Sequence, residues 1–119
     1  MRLEDEILAL REQLIHHRRY LHKYPETDFD VEGTRNYIVN QLREFGFEEI
    51  SILAQNGVKA VMRSGKAGKT LAFRADMDAL PIQEETGVEY ASLNNGFMHS
   101  CGHDGHMAVL LGLAEWLAK

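Results

Sequence analysis

Residues 69–81 read KTLAFRADMDALP, and the fold turns on them. Leu71, Ala72 and Phe73 make a nearly continuous apolar run behind Thr70. That is the pattern of a strand covered on both faces, not of one alternating between core and water. Upstream, EEISILA (48–54) and VKAVMR (58–63) are shorter β-type runs separated by a Gln-Asn-Gly turn signal, and RSGKAGK (63–69) is a second, looser turn.

Around these strands the period is helical. Leu3, Ile7, Leu10, Leu14 and Leu21 recur at three- and four-residue steps, which predicts one helix over the whole first segment. Glu4, Asp5 and Glu6 near its start and Arg18 and Arg19 near its end complement the helix dipole. Pro25 interrupts the pattern. A second helix is expected over VEGTRNYIVNQLREFGF (31–47), with Ile38, Leu42 and Phe45 on one face and Gly46 as its stop. A last helix follows HSCGHDGH (99–106). Met107, Leu110, Leu111, Ala114 and Leu117 form one apolar stripe, and Val109, Leu113 and Trp116 form another, so it requires cover on several sides. Helix, helix, three strands, a polar loop and a helix together predict an α/β sandwich with helices packed on a sheet.

The totals narrow the classes. A chain of 119 residues is one domain's worth, and 45% hydrophobic with 26% charged residues is a globular composition. A net charge of −5 without a Lys/Arg run argues against nucleic acid as a partner. No apolar run approaches the roughly 18 residues of a membrane span, so no membrane partner is expected. The start, MRLEDEILALREQ, lacks the apolar stretch of a signal peptide, and a single cysteine cannot form an internal disulfide; both point to a cytoplasmic location.

Two constellations can carry chemistry. Cys101 and His103 flank Gly102 just ahead of the last helix. Thiolate and imidazole are common ligands of Zn²⁺ and related ions, and the helix N-terminus beyond them favours the thiolate. By itself the triplet also reads as a small buried thiol beside a surface histidine. Asp76 and Asp78 leave the predicted strand at i, i+2, on one face and roughly 6.5–7 Å apart. Ligand crevices form at such strand ends, and two converging carboxylates call for a cation or proton between them; the alternative is an Asp-rich strand exit suited to a turn. His99 and His106 read as hydrogen-bonding neighbours, substrate contacts or polar surface, and His22 as a local structural group. Glu84 and Glu85 read as solvated loop acids, and HHRRYLHK (16–23) as a solvated basic face. The Gly65/Gly68 turn lacks the spacing of a phosphate cradle.

Taken together, RRYLHKYPE (18–26), FRADMDALPIQEETG (73–87) and MHSCGHDGHMAVLLGLA (98–114) make the chain resemble the N-terminal part of a family of metal-dependent amidohydrolases. That family includes hippurate hydrolase, N-acyl-amino-acid amidohydrolases, N-acetyldiaminopimelate deacetylase and plant indole-acetyl-amino-acid hydrolases. The resemblance implies a zinc-peptidase-like α/β catalytic domain, a three-layer sandwich with helices packed on a mixed sheet, of which residues 1–119 are the front part, and a smaller lid domain that often dimerises. It implies hydrolysis of an N-acyl amino acid by water activated on two divalent ions (Zn, Mn, Co or Ni). The family's Cys-Gly-His ligands fall on Cys101 and His103, and its catalytic aspartates on Asp76 and Asp78. Related metallopeptidases carry a metal-binding histidine where Asp76 stands, so a direct role for Asp76 in metal binding stays open. The family's general-base glutamate and two later histidine ligands have no counterpart here, so the chain is expected to be the front of a longer enzyme and inactive alone. Two other readings remain: an inert fragment that self-associates, and a thiol enzyme using Cys101.

Overall fold

A computed structural model describes residues 2–119. The elements run α1 (Leu3–Leu8), α2 (Arg11–Lys23), α3 (Glu32–Glu44), β1 (Glu49–Leu53), β2 (Gly57–Val61) and α4 (His103–Leu117). The first segment is thus two helices rather than one. The break falls at Ala9 and Leu10, and it lets Leu10 drop to 4% exposure while α1 keeps no buried residue of its own. The Trp116 indole N–H, donating to Glu6 at 3.2 Å, ties α1 to the end of α4.

The second helix ends as its glycine predicts. Gly46 adopts φ +102°, Phe47 N–H donates to Leu42 O at 3.0 Å and Gly46 N–H to Arg43 O at 3.0 Å, the paired bonds of a Schellman ending. At its other end, Val31 offers no capping side chain. The Glu26 carboxylate takes that role from outside the helix, accepting the Gly33 N–H (3.1 Å), the Thr34 N–H (2.5 Å) and the Thr34 hydroxyl (2.7 Å). It satisfies donors that the first turn cannot use internally.

β1 and β2 form an antiparallel hairpin in which Glu49 faces Val61 and Leu53 faces Gly57. The predicted third strand does not form. Residues 69–79 are extended but pair with no neighbour, and Leu71 (76% exposed) and Phe73 (59%) face solvent instead of lying between two layers. A strand exists only through its ladder, and residues 69–79 pair with neither open edge of the two-stranded hairpin. The sheet is therefore two-stranded and wholly antiparallel, not mixed, and the described residues contain helices on one small sheet rather than three layers.

The core lies where α2, α3 and α4 meet the hairpin. Leu21, Tyr37, Leu42, Met107 and Leu111 are its buried centre, flanked by Ile38, Phe45, Ile50, Val58 and Ala60. Each large apolar side chain removed from water contributes about 1.5–3 kcal/mol. α4 packs closely on α2 because Gly112 has no Cβ; one placed there would collide with Leu14 Cδ2. Contrary to the all-round apolar pattern, only one side of α4 is covered: Met107, Ala108, Leu111 and Gly112 are buried, while Val109 is 67% exposed.

Candidate functional site

His103 of one predicted constellation meets Asp76 and Asp78 of the other. α4 starts at His103, and Gly102 before it takes φ +92°, a left-handed conformation that reverses the chain between Cys101 and His103. His103 Nδ1 lies 2.8 Å from the backbone carbonyl of Asp78 and 3.2 Å from its Oδ1. Both are acceptors, so Nδ1 carries the proton and the Nε2 lone pair is left free. Nε2 points towards Asp76, whose Oδ2 is 3.8 Å away.

Asp76 also accepts from Arg74 Nη2 at 2.8 Å and Nε at 3.2 Å, and the guanidinium holds its carboxyl below the usual range. Asp76 and Asp78 are about half exposed, His103 less so, and Cys101 presents an exposed thiol rather than a buried one. A free imidazole lone pair, a carboxylate beyond hydrogen-bonding distance and an accessible thiol are the donor types a borderline divalent ion takes. They fit such an ion as part of a ligand set. Among the described residues, no group of three or more His, Cys, Asp or Glu is assembled to enclose one.

Next to this turn lies a buried polar cluster that the sequence reading missed. His22, on the last turn of α2, sits between two carboxylates: Nδ1 is 2.8 Å from Asp104 Oδ2 and Nε2 is 2.8 Å from Glu84 Oε1. All three side chains are 2–3% exposed. Arg18 Nε forms an ion pair with the same Asp104 oxygen at 3.0 Å, and Gly105 N–H donates to Oδ1 at 2.9 Å. Glu84 also accepts from Ser92 N–H at 2.9 Å and from the Thr86 hydroxyl. Burial pushes its carboxyl up, but those bonds and the His22 ring outweigh it and hold it below its usual value. The expected solvation of Glu84, and of part of the 16–23 face, is thereby corrected. His16, Arg19 and Tyr20 are exposed as expected, but His17 is buried against Tyr37 of α3, and His22 and Arg18 engage Asp104 of α4. Tyr90 covers the cluster, its ring 5.2 Å from the Arg18 guanidinium and 4.6 Å from that of Arg19. Only the adjacency of His22 to Pro25 and of Asp104 to His103 hinted at this arrangement; Glu84 carried no signal.

Two flanking histidines part company. His106 is exposed, its ring centroid 6.0 Å from that of His103. His99 is 3% exposed, and neither ring nitrogen has a hydrogen-bond partner. Burial lowers its pKa, which keeps the ring neutral. The YPE turn supports the site from below: Ala79 N–H donates to Glu26 O at 2.7 Å, and Asn94 Nδ2 to Pro25 O at 2.8 Å.

Residues 72–119 match the model of Peptidase family M20/M25/M40. The chain is 46% identical over 114 residues to N-acyl-L-amino acid amidohydrolase of Geobacillus stearothermophilus, covering 96% of this chain and 30% of that protein. It is 42% identical over 119 residues to hippurate hydrolase of Campylobacter jejuni, covering 100% and 31%. Among solved structures, Bacillus subtilis YXEP, described as a dinuclear metal binding peptidase from the M20 family, superposes with a TM-score of 0.86 at 41% identity, covering 92% of this chain and 31% of that one. The chain thus spans about 30% of the length of these relatives. On these matches the chain is similar to about 30% of the length of members of peptidase family M20/M25/M40, with residues 72–119 carrying the family match.

Proposed function

We propose that this chain supplies the first half of the metal centre of an amidohydrolase acting on N-acyl amino acids. Residues 1–119 would form the front of its catalytic domain, whose remaining strands complete a three-layer sandwich on residues 69–79. The observation that carries the reading is the Cys101–His103 turn. There, the Asp78 carbonyl fixes the His103 tautomer and leaves Nε2 facing Asp76. The relatives' names, an N-acyl-L-amino acid amidohydrolase and a hippurate hydrolase, support the substrate class, and the dinuclear description of YXEP supports two divalent ions.

In this reading Cys101 and His103 hold metal. Asp78 orients His103 through its carbonyl, raising the ring's strength as a ligand. Asp76 faces the metal position and is kept ionised by Arg74. Bound metal supplies an activated water for attack on the amide carbonyl. The general base and the remaining ligands come from outside these 119 residues, as does a second subunit if the enzyme is a homodimer. No helix among the described residues is long and apolar enough to cross a membrane, in keeping with a cytoplasmic enzyme.

The test is metal binding by the chain and by Cys101→Ser. Co²⁺ titration of the wild-type chain is expected to give a thiolate-to-metal charge-transfer band that the variant lacks. Equal metal content in the two proteins, or no band in either, would sink the ligand assignment.

A further inference from the structure

We propose that His22 is a positioning residue for the Cys101–His103 turn, acting through Asp104, an inference that rests on the ligand reading of that turn. The turn has few constraints of its own. Its N-cap is a glycine without a side chain, and the φ of +92° at Gly102 is a conformation that neighbouring contacts must hold in place. His103 is anchored on one side by the Asp78 carbonyl. The other side is anchored by Asp104, the next residue, whose Oδ2 receives His22 Nδ1.

Arg18 reaches the same oxygen, yet its side chain is 38% exposed and flexible, so it secures charge balance better than direction. The His22 ring is rigid and sealed, and Glu84 fixes its rotation from the opposite edge at 2.8 Å. Carboxylate oxygens only accept, so the geometry is satisfied when both ring nitrogens donate. His22 and Arg18 thus both face the carboxylates of the cluster, His22 between Asp104 and Glu84 and Arg18 against Asp104. Removing one member leaves its buried partners short of a hydrogen bond, and the adjacent backbone is freer to move. The chain of contacts runs Glu84, His22, Asp104, then the first turn of α4 with its candidate ligand.

Side-chain shape separates positioning from general stabilisation. Asparagine places its amide nitrogen near the Nδ1 position and glutamine near Nε2. His22→Asn therefore keeps the donor towards Asp104, whereas His22→Gln keeps the one towards Glu84. The experiment is ¹H–¹⁵N NMR of the 119-residue chain and both variants, with Co²⁺ titration alongside. His22→Gln is expected to move the amide signals of Cys101–Gly105, leave those of β1 and β2 in place, and weaken Co²⁺ binding by about 10–100-fold, the usual cost of losing an outer partner of a ligand. His22→Asn is expected to restore most of both. A folded His22→Gln chain with wild-type signals at 101–105 would overturn the proposal, as would equal behaviour of the two variants. If His22→Gln does not fold, Glu84→Gln replaces it; smaller shifts at the same residues support the proposal, and none there overturn it. A wild-type chain that binds no Co²⁺ refutes the ligand reading alone, because the amide signals still report the positioning.

Discussion

His17 makes the stability of this chain depend on pH in a calculable way. The ring is 1% exposed, shares a 2.7 Å hydrogen bond between Nδ1 and the Tyr37 hydroxyl, and leaves Nε2 sealed without a partner. Tyr37 and Phe45 stand edge-on at 5.9 and 6.2 Å. Protonation would add a charge and a second N–H donor where nothing accepts it. Burial, with a smaller contribution from His16, lowers the pKa from 6.5 to about 4. Because the folded value lies below the unfolded one, the unfolded chain gains its proton first as pH falls. Full stability is present above pH 6.5 and is lost on the way down to about 4. At about 1.4 kcal/mol per unit, the loss reaches roughly 2 kcal/mol by pH 5 and roughly 3 kcal/mol near pH 4. Urea unfolding followed by circular dichroism and Trp116 fluorescence between pH 7.5 and 4 measures it. His17→Gln serves as the reference that cannot titrate. Other groups titrate in both proteins and cancel in the difference, which should be constant above pH 7 and fall steadily below 6.5. A difference that stays flat from pH 7 to 5, or a His17 ring titrating at 6.5 or above by NMR, would refute the reasoning.

Other positions can be tested by the same unfolding assay. Glu26→Ala, which strips the outside cap from α3, is expected to lower stability by about 1–2 kcal/mol; no change in the urea midpoint would mean that the cap is redundant. Met107→Ala in the core is expected to cost about 2–5 kcal/mol, whereas Val109→Ser, two residues along the same helix, should stay within about 0.5 kcal/mol. A comparable cost at Val109 would show that the outer face of α4 is covered in solution.

Much of the candidate site was legible because its signals are local. Cys101, Gly102 and His103 carry metal chemistry and the flexible residue needed to turn between them within three positions, and Asp76 and Asp78 announce themselves by the same spacing. The helices over 32–44 and 103–117 follow from period and from Gly46. What escaped the reading is non-local. Glu84 looked like a solvated acid because nothing in PIQEETG reveals a histidine 62 residues away. HHRRYLHK looked like a surface face because a helix pattern of charged and imidazole residues does not say which neighbour will neutralise it.

The strand expected in residues 69–81 teaches the opposite lesson. Its apolar run is real, yet Leu71 and Phe73 are exposed, since β structure needs a second backbone and these residues bring none. What the amino-acid order settles alone is therefore the chemistry and the local conformational preference: which ligand types exist, where helices stop, where a turn is possible. Tertiary structure alone decides the pairing. It sets His22 between Asp104 and Glu84 and aims His103 at Asp76, and it leaves residues 69–79 extended without a ladder. Burial and charge compensation depend on groups far apart in the chain, and only packing brings them within reach.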